Sequence, residues 1–425
     1  MARAGRGMPR RAVTFGLASL AASPAWASTD PLAGEALYAD LKAYSGLGDH
    51  RTGTPGDAHT TDWLTQALRQ AGYQVEHQAF DYPVFDLKRS QLRVGDRTLS
   101  GFPVCTPCPT PTTGITAQLS TAGGPGTIMV VPLSYNSGAG LEVPSYGEPL
   151  HRAVATGAVA VVGITENPVG ELMALNAPTK AERWAVPMLL VAGRQGPALL
   201  AAAAAGAAAT MHIDGVEATR AAHNVVGRRP GRGKTLVLST PKSGWLRCAG
   251  ERGAGMAIWL GLARWLAATT DHNLMVVSTS GHEVGGYGGR LFADALAPRP
   301  ADTKLWMHIG ANVAAYDFAL RDGVLTRLAA PPVRRGVACS HDLLAAAQQA
   351  FSGQPGYDTP TDIDVQRAPG EVALYQRLGY RPIVGVVGAH PLHHTPRDLP
   401  DVTAPILLEP VARGLQALLR SLPAA

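Results

Sequence analysis

The sequence predicts an α/β protein with a mainly parallel sheet and helices on both faces. First, short apolar runs alternate with helical patterns along most of the 425 residues, and buried parallel strands are typically such continuous apolar runs. Second, one run, residues 274–280, ends at Gly281 and is followed at once by His282 and Glu283. Ligands of open α/β sheets bind just beyond the carboxyl ends of the strands, so this pair is a candidate site. For an isolated pair, a solvated strand end is the simpler interpretation.

The first residues predict a removable export signal. Arg10 and Arg11 precede an apolar run at 12–22 and the small-x-small sequence Ala25-Trp26-Ala27. This pattern is typical of a signal peptide over residues 1–27, and the paired arginines favour twin-arginine export. The run is too short for a permanent membrane anchor. We therefore expect a periplasmic or secreted protein with no stable anchor.

Charge and cysteine content narrow the function classes. Subtracting the four arginines of the signal from 37 basic residues leaves 33, against 32 acidic residues. Without a basic stripe, nucleic acid is not an expected partner.

Of the four cysteines, only Cys105 and Cys108 form a Cys-x-x-Cys pair. A single such pair in an exported protein favours a structural disulfide or free thiols over a metal or redox site.

Elements in the first part, residues 28–100, follow from apolar spacing. Helices are predicted at 31–43 and 57–71, a strand at 73–80, and a hairpin turn near Gly95. Residues 101–125 are dense in Pro, Thr and Gly and mark a boundary. Residues 101–220 then form a self-contained pattern, which predicts a smaller inserted α/β domain with strands at 127–132, 158–164, 187–192 and 210–213 and helices at 150–156 and 197–209.

Residues 221–425 resume the pattern of the first part and complete the larger domain. Apolar periodicity predicts strands at 223–227, 234–240, 304–312 and 382–388, and helices at 251–268, from about 290, at 340–351, after 371 and at 403–421. The strand at 274–280 lies among these elements, so the pair His282 and Glu283 belongs to the larger domain.

Four motifs occur in an order that resembles a known family. They are Gly48-x-x-Arg-Thr-Gly-Thr-Pro-Gly56, Gly157-Ala-Val-Ala-Val-Val162, His223-Asn-Val-Val-Gly227 and His393-His-Thr-Pro-Arg-Asp398. Together they are similar to the zinc-dependent aminopeptidase family, which also contains glutaminyl cyclases and the transferrin receptor ectodomain. The resemblance covers nearly all of the mature chain. It implies a zinc-aminopeptidase-like fold with a protease-associated-type insertion, and a peptide or protein ligand.

The resemblance also implies a site with two zinc ions, five ligands and a glutamate base. By position, Glu283 and His394 match two ligands, and Glu251 matches the bridging aspartate. Three other positions depart from the pattern, because Thr240 and Lys242 replace the His and Asp of a His-x-Asp motif and Gly310 replaces a later Asp. His282 stands in place of the base. Zinc needs three or four N, O or S ligands, so the two-zinc mechanism is not expected.

A rearranged site with at most one zinc is the expected alternative. Its candidate ligands are Glu283, His394, Glu251 and His308, with His282 or Glu283 acting as a general acid–base residue on the attacking water. For His308, a hydrogen-bonded core histidine is the simpler interpretation. For the loop residues His390 and His393, a satisfied or solvated histidine is the simpler interpretation, and His393 is expected to shape its loop rather than bind metal.

Three cleft residues carry further expectations. We expect Lys242 to lie beside Glu251 and Glu283 as a substitute cation, unless it points to solvent. Thr240 should line the cleft. Glu371 matches a position near the amino end of a bound substrate, unless it is an exposed helix cap.

Three functions remain open from the sequence. The first is an exported metallopeptidase of the aminopeptidase type with an altered site. The second is an inactive pseudo-peptidase that binds a peptide or another protein. The third is a metal-independent hydrolase using Ser243, Ser278 or Ser280 with His282, which is the weakest because the sequence has no Gly-x-Ser-x-Gly elbow.

Overall fold

The computed structural model of the chain describes residues 30–422, so the predicted export signal at 1–27 lies outside the described residues. The α-helices are α1 Gly34–Gly46, α2 Pro55–Gln70, α3 Pro144–Ala155, α4 Gly196–Ala204, α5 Ala254–Thr269, α6 Tyr287–Ala295, α7 Leu344–Ala350, α8 Val372–Arg377 and α9 Pro405–Arg420. The strands are β1 Gln74–Val94, β2 Arg97–Ser100, β3 Phe102–Pro103, β4 Ile115–Ser120, β5 Thr127–Ser134, β6 Ala160–Glu166, β7 Met188–Ala192, β8 Ala208–Arg229, β9 Arg232–Pro241, β10 His272–Thr279, β11 Thr303–Ile309, β12 Phe318–Arg321, β13 Val324–Arg327, β14 Arg335–Cys339, β15 Thr361–Asp362 and β16 Ile383–Gly388.

Within residues 30–422, fourteen strands form one mixed sheet. The order is β15-β14-β16-β11-β9-β10-β8-β4-β5-β6-β7-β3, with β1 paired to β8 and β2 paired to β1. The neighbours β16, β11, β9 and β10 are parallel, as are β4 to β7. The predicted α/β class with a mainly parallel, mixed sheet flanked by helices is therefore confirmed.

A long antiparallel ribbon of β1 and β8 joins the two halves of this sheet. The ribbon pairs continuously from Gln74 opposite Arg228 to Val94 opposite Ala209, with one irregularity near Leu87. The prediction of separate strands at 210–213 and 223–227 was wrong, because cross-strand hydrogen bonds to β1 keep the intervening polar residues extended. The predicted boundary at residue 220 falls inside β8. The division into an inserted domain at 101–220 stays a prediction.

Each half of the sheet has apolar side chains on both faces. In the half that ends in β9, β10 and β11, alternate residues pack into two different clusters: Leu238 and Met307 against α1, α5 and α9, and Val237 and Trp306 against α6 and α8. In the other half, α4 and α3 cover the opposite faces of β5 and β6. The carboxyl ends of β9, β10 and β11 consequently meet at one edge, where the predicted site residues lie.

Two smaller expectations can be compared with this fold. None of the helices in residues 30–422 has the length and apolarity needed to cross a bilayer. All four cysteines are free thiols, with Cys248 and Cys339 buried. Of the two alternatives for Cys105 and Cys108, the structure has the free thiols.

The turn after β10 is held by close backbone packing. Gly281, Gly285 and Gly286 adopt positive φ values, and the amide of Gly288 donates to the carbonyl of Ser280 at 3.1 Å. A Cβ atom at Gly288 would lie 2.1 Å from that carbonyl oxygen and 2.5 Å from Oδ1 of Asn224. The turn that carries the site therefore has no room for a side chain at this position.

We expect Gly288→Ala to lower the free energy of unfolding by at least about 1–3 kcal/mol, because backbone must move to admit the methyl group. Urea unfolding followed by circular dichroism measures this change. Gly46→Ala is the matched control, since a Cβ atom there meets nothing within 4 Å. Equal stability of the two variants would contradict the packing described for the turn.

Candidate active site

Glu283 is buried and satisfied by hydrogen bonds. The amide and the hydroxyl of Thr52 both donate to its Oε1 at 2.6 Å, and the hydroxyl of Ser243 donates to its Oε2 at 2.7 Å. Ser243 Oγ also accepts the amide of Gly281 at 2.8 Å, which holds the turn after β10 against the segment after β9. Three donors therefore satisfy the carboxylate oxygens of Glu283 without a metal ion.

Lys242 is fully buried, and its ammonium forms an ion pair with Asp57. The ammonium also donates to the main-chain carbonyl of Asp57 at 3.2 Å, and Ser280 Oγ donates to the same carboxylate at 3.0 Å. The expected position beside Glu251 and Glu283 was wrong, and so was the solvent-exposed alternative. The sequence interpretation missed Asp57, although it directly follows the Gly48–Gly56 motif and opens α2.

A second group combines one carboxylate with two imidazoles. Oε1 of Glu251 lies 3.1 Å from Nε2 of His394 and 3.7 Å from Nε2 of His393. Ligand atoms of these three side chains all lie within 4.8 Å of one another. Oε2 of Glu251 and Nε2 of His393 are buried without a hydrogen-bond partner. Unpartnered donor atoms in this arrangement fit one metal ion.

The orientation of His394 is set by a carbonyl from the segment before β7. Its Nδ1 lies 3.0 Å from the carbonyl oxygen of Ala174, and the amide of Ala174 donates back to the carbonyl of His394 at 3.0 Å. A carbonyl oxygen only accepts, so Nδ1 carries the proton. Nε2 donates to Oε1 of Glu251 at 3.1 Å, and a metal ion bound here would take the place of the proton on Nε2. Metal-binding histidines are commonly oriented in this way.

The main chain and nearby charges position Glu251 and keep it ionised. Its amide and that of Gly250 donate to the carboxylate of Asp398, at 3.0 and 2.6 Å, at the turn that leads into α5. Burial raises the pKa of Glu251, but the positive charges of His394 and Arg252 and the hydrogen bond from His394 outweigh it and hold that pKa well below its usual value. Glu251 therefore needs compensating positive charge.

Glu371 forms a third group with two histidines. Its Oε1 lies 3.0 Å from Nδ1 of His282, and its Oε2 lies 3.7 Å from Nε2 of His308. Burial raises the pKa of Glu371, but His282, His308 and Arg252 lower it to about 2. Only 9% of the Glu371 side chain is exposed, so the exposed helix-cap interpretation was wrong.

His308 is a buried histidine with a hydroxyl partner. Its Nδ1 lies 2.9 Å from Ser239 Oγ, which also accepts Nε1–H of Trp306 at 2.8 Å. Burial lowers the pKa of His308 to about 4, so the ring is neutral at pH 7. This arrangement has the features of the core histidine that was the simpler interpretation.

The predicted zinc ligands are thus distributed over three groups. Glu251 and His394 lie together, His308 belongs with Glu371 and His282, and Glu283 is bound by hydroxyl and amide donors. Thr240 is buried and donates to the carbonyl of Ile309 at 2.8 Å. Whether any of these residues binds zinc stays a prediction. Sequence analysis missed His393 as a donor and Arg252 as a cation, although both directly adjoin predicted ligands.

The candidate serine nucleophiles have other partners. Ser280 donates to Asp57 and Ser243 to Glu283, while Ser278 Oγ lies 4.0 Å from the sulfur of Met256. Among the hydrogen bonds of residues 30–422, no serine hydroxyl pairs with the imidazole of His282. His282 therefore activates none of these three serines.

An apolar cavity of about 310 Å³ adjoins Glu283. Its aromatic walls come from the β1 ribbon, the start of the insertion and the segment after β9, namely Tyr82, Phe85, Phe102 and Trp245. Arg51 stacks over Phe102, with 5.6 Å from the guanidinium carbon to the ring centroid. The cavity is suited to an apolar side chain.

Solved structures with the same architecture cover almost the whole chain. A zinc aminopeptidase from Bacillus subtilis matches with a TM-score of 0.69 at 16% identity, over 92% of this chain and 95% of that chain. The chain has the zinc-aminopeptidase fold. A peptidase M28 precursor from Shewanella amazonensis SB2B matches with a TM-score of 0.71 at 14% identity, over 90% and 91% of the two chains. An aminopeptidase from Aneurinibacillus sp. strain AM-1 matches with a TM-score of 0.61 at 19% identity, over 92% and 93%.

This similarity confirms the resemblance predicted from the four motifs at the level of the fold. No protein-family model and no curated protein matches the chain by sequence. At these identities the zinc-aminopeptidase fold is established, and the chemistry depends on this chain's own residues.

We expect Lys242→Met to destabilise the protein by about 3–5 kcal/mol, because it leaves the carboxylate of Asp57 buried without its ion partner. The double variant Lys242→Met with Asp57→Leu should recover most of this loss, since both charges are removed. Chemical unfolding of the single and double variants measures both changes. Equal stability of Lys242→Met and the unaltered protein would show that the pair is not buried.

Stability should fall as the pH drops from 6.5 towards 4. Burial lowers the pKa of His308 to about 4 and that of His50 to about 3, both from 6.5. Between these pH values both rings take up a proton in the unfolded chain but stay neutral in the folded protein. The free energy of unfolding therefore falls by about 1.4 kcal/mol per pH unit for each histidine. Unfolding free energies measured across this range should show shallower slopes for His308→Gln and His50→Gln. Unchanged slopes would contradict burial of the neutral rings.

Proposed function

We propose that the protein is an exported, periplasmic or secreted metallopeptidase-type hydrolase that uses one zinc ion and acts on peptides. The observation that carries this proposal is the group formed by Glu251, His393 and His394. Its ligand atoms lie within 4.8 Å of one another, and two buried donor atoms have no other partner. Two histidines and one glutamate are a common catalytic zinc set that leaves a position open for water or substrate.

The charge balance of the cleft supports a divalent cation. The carboxylates of Glu283 and Asp398 are satisfied by amide or hydroxyl donors. Of the other buried carboxylates here, Asp57, Glu251 and Glu371 outnumber the buried cations Lys242 and Arg252 by three to two. Uncompensated buried charge is costly, so the remaining negative charge favours an added cation such as a zinc ion.

Zinc at these three ligands would supply a Lewis acid that activates water and polarises a peptide carbonyl. The chain offers His282 as the proton acceptor. Oε1 of Glu371 lies 3.0 Å from Nδ1 of His282 and would orient the ring for this role. About 21% of the His282 side chain is exposed, which leaves it accessible from solvent. The cavity beside Glu283 would bind an apolar side chain of the peptide.

A second candidate function is a pseudo-peptidase that binds a peptide or protein ligand without cleaving it. The ion pair of Arg252 with Glu251 favours this candidate, because a guanidinium lies 2.9 Å from a proposed zinc ligand. The pairing of Lys242 with Asp57 similarly supplies positive charge from the protein itself.

We expect the mature protein, purified without chelator or His-tag, to contain about one zinc ion per chain. Glu251→Gln and His394→Ala should each lose the metal, because each removes one of three ligands. Elemental analysis after dialysis measures the content, and aminoacyl and peptide amides are then tested as substrates.

Glu283→Gln is the discriminating control. Glu283 is outside the three-residue group, so this variant should keep its zinc. Loss of zinc in Glu283→Gln, with the fold intact, would favour the ligand set expected from sequence. A folded unaltered protein that takes up no zinc would overturn the hydrolase proposal in favour of the binding module.

A further inference from the structure

Arg252 is a buried guanidinium with unused hydrogen-bond donors. Only 1% of its side chain is exposed, and its Nε donates to the carbonyl of Ser243 at 3.0 Å. Nη2 lies 2.9 Å from Oε1 of Glu251 as an ion pair, yet neither Nη1 nor Nη2 has a hydrogen-bond acceptor. One hydrogen bond and one ion pair therefore hold the side chain, and neither terminal nitrogen donates a hydrogen bond.

Unpartnered buried donors are costly, and a guanidinium is among the strongest of them. Those of Arg252 contact one of the two groups that the proposed function uses, and their charge acts on the other. Nη2 contacts Glu251, and the positive charge lowers the pKa of Glu371 and of His308 in the other group. An oxygen atom of a ligand at this place would accept from the free nitrogens.

The guanidinium of Arg252 lies close to a glycine, which has no side chain to fill the space beside it. Gly244 offers no side-chain ligand, and a Cβ atom there would lie only 3.1 Å from Cγ of Arg252 and 3.2 Å from Oε1 of Glu251. The glycine at 244 thus admits the close approach of the arginine. The cleft has ligands for one metal ion and a fixed protein cation beside it.

We infer that Arg252 is a further catalytic residue that takes the place of a second metal ion, binding the substrate carbonyl oxygen through Nη1 and Nη2 and stabilising the negative charge that develops on it. This inference rests on the proposed hydrolase function. A planar guanidinium presents two parallel donors, and a charge held in a water-poor cleft acts more strongly than one in solvent.

The inference makes zinc affinity and turnover change in opposite directions. In Arg252→Gln the cation beside Glu251 is removed, so zinc should bind at least about 10-fold more tightly. The same variant should lose about 10²- to 10³-fold in kcat, as when an oxyanion donor is removed, with a much smaller change in KM. Chelator competition measures zinc affinity, and steady-state hydrolysis of a peptide amide measures kcat and KM.

Arg252→Lys separates charge from donor geometry. It should keep the zinc affinity within a few-fold and lose about 10-fold or more in kcat, because an ammonium cannot reproduce the two parallel donors. If Arg252→Gln does not fold, this variant decides the question, since unchanged kcat in Arg252→Lys would overturn the inference. The matched control is Arg228→Gln, which removes a guanidinium on β8 that pairs with Glu76 on β1. This variant should change neither the zinc affinity nor kcat.

The outcomes distinguish the inference from the proposed function. A merely structural ion pair predicts that Arg252→Gln weakens zinc binding and lowers the melting temperature, which would overturn the inference alone. If unaltered protein binds no zinc but Arg252→Gln does, Arg252 occupies the cation position and the hydrolase proposal fails. If neither protein binds zinc while both are folded, both conclusions fail.

Discussion

The need to compensate buried carboxylates organises the carboxyl edge of this sheet. Asp57 is paired with Lys242, Glu283 accepts three hydrogen bonds, and Glu371 lies between two histidines. Each of these pairings joins segments that are far apart in the chain. The free-energy cost of an unpaired buried charge exceeds the loss of chain entropy on bringing a partner to it. Glu251 keeps one carboxylate oxygen without a hydrogen-bond partner, and Nε2 of the neighbouring His393 has none either, which makes this group the place for an added cation.

The segment at 174–177 connects the predicted insertion with this chemistry. Ala174 exchanges two hydrogen bonds with His394, and the amide of Ala177 donates to the carbonyl of Glu283 at 2.8 Å. Asn176 accepts Nε1–H of Trp245, a wall of the apolar cavity, at 2.7 Å. The insertion therefore positions a candidate ligand and borders the cavity, so changes in its packing would reach the site through short polar contacts.

Two site residues could be predicted from the sequence, because His394 lies in one of the four motifs and Glu251 matches a ligand position that the resemblance implies. The two side chains lie 3.1 Å apart. Asp57, Arg252 and His393 could not be assigned in the same way, since each looks like an ordinary polar neighbour until burial is known. Lys242 was recognised as a substitute cation, but its partner depends on how α2 packs against the segment after β9.

The sequence by itself determined the α/β class and the approximate places of most strands and helices, because hydrophobic periodicity is a property of short segments. It also showed that several side chains expected to bind two zinc ions are replaced by residues that cannot bind zinc. Tertiary structure alone decided the continuous β8 strand, the separation of Glu283 from Glu251, and the inward position of Arg252. These depend on contacts between residues distant in sequence. Whether a carboxylate meets a hydroxyl, a guanidinium or a histidine is set by the packing that removes both groups from water.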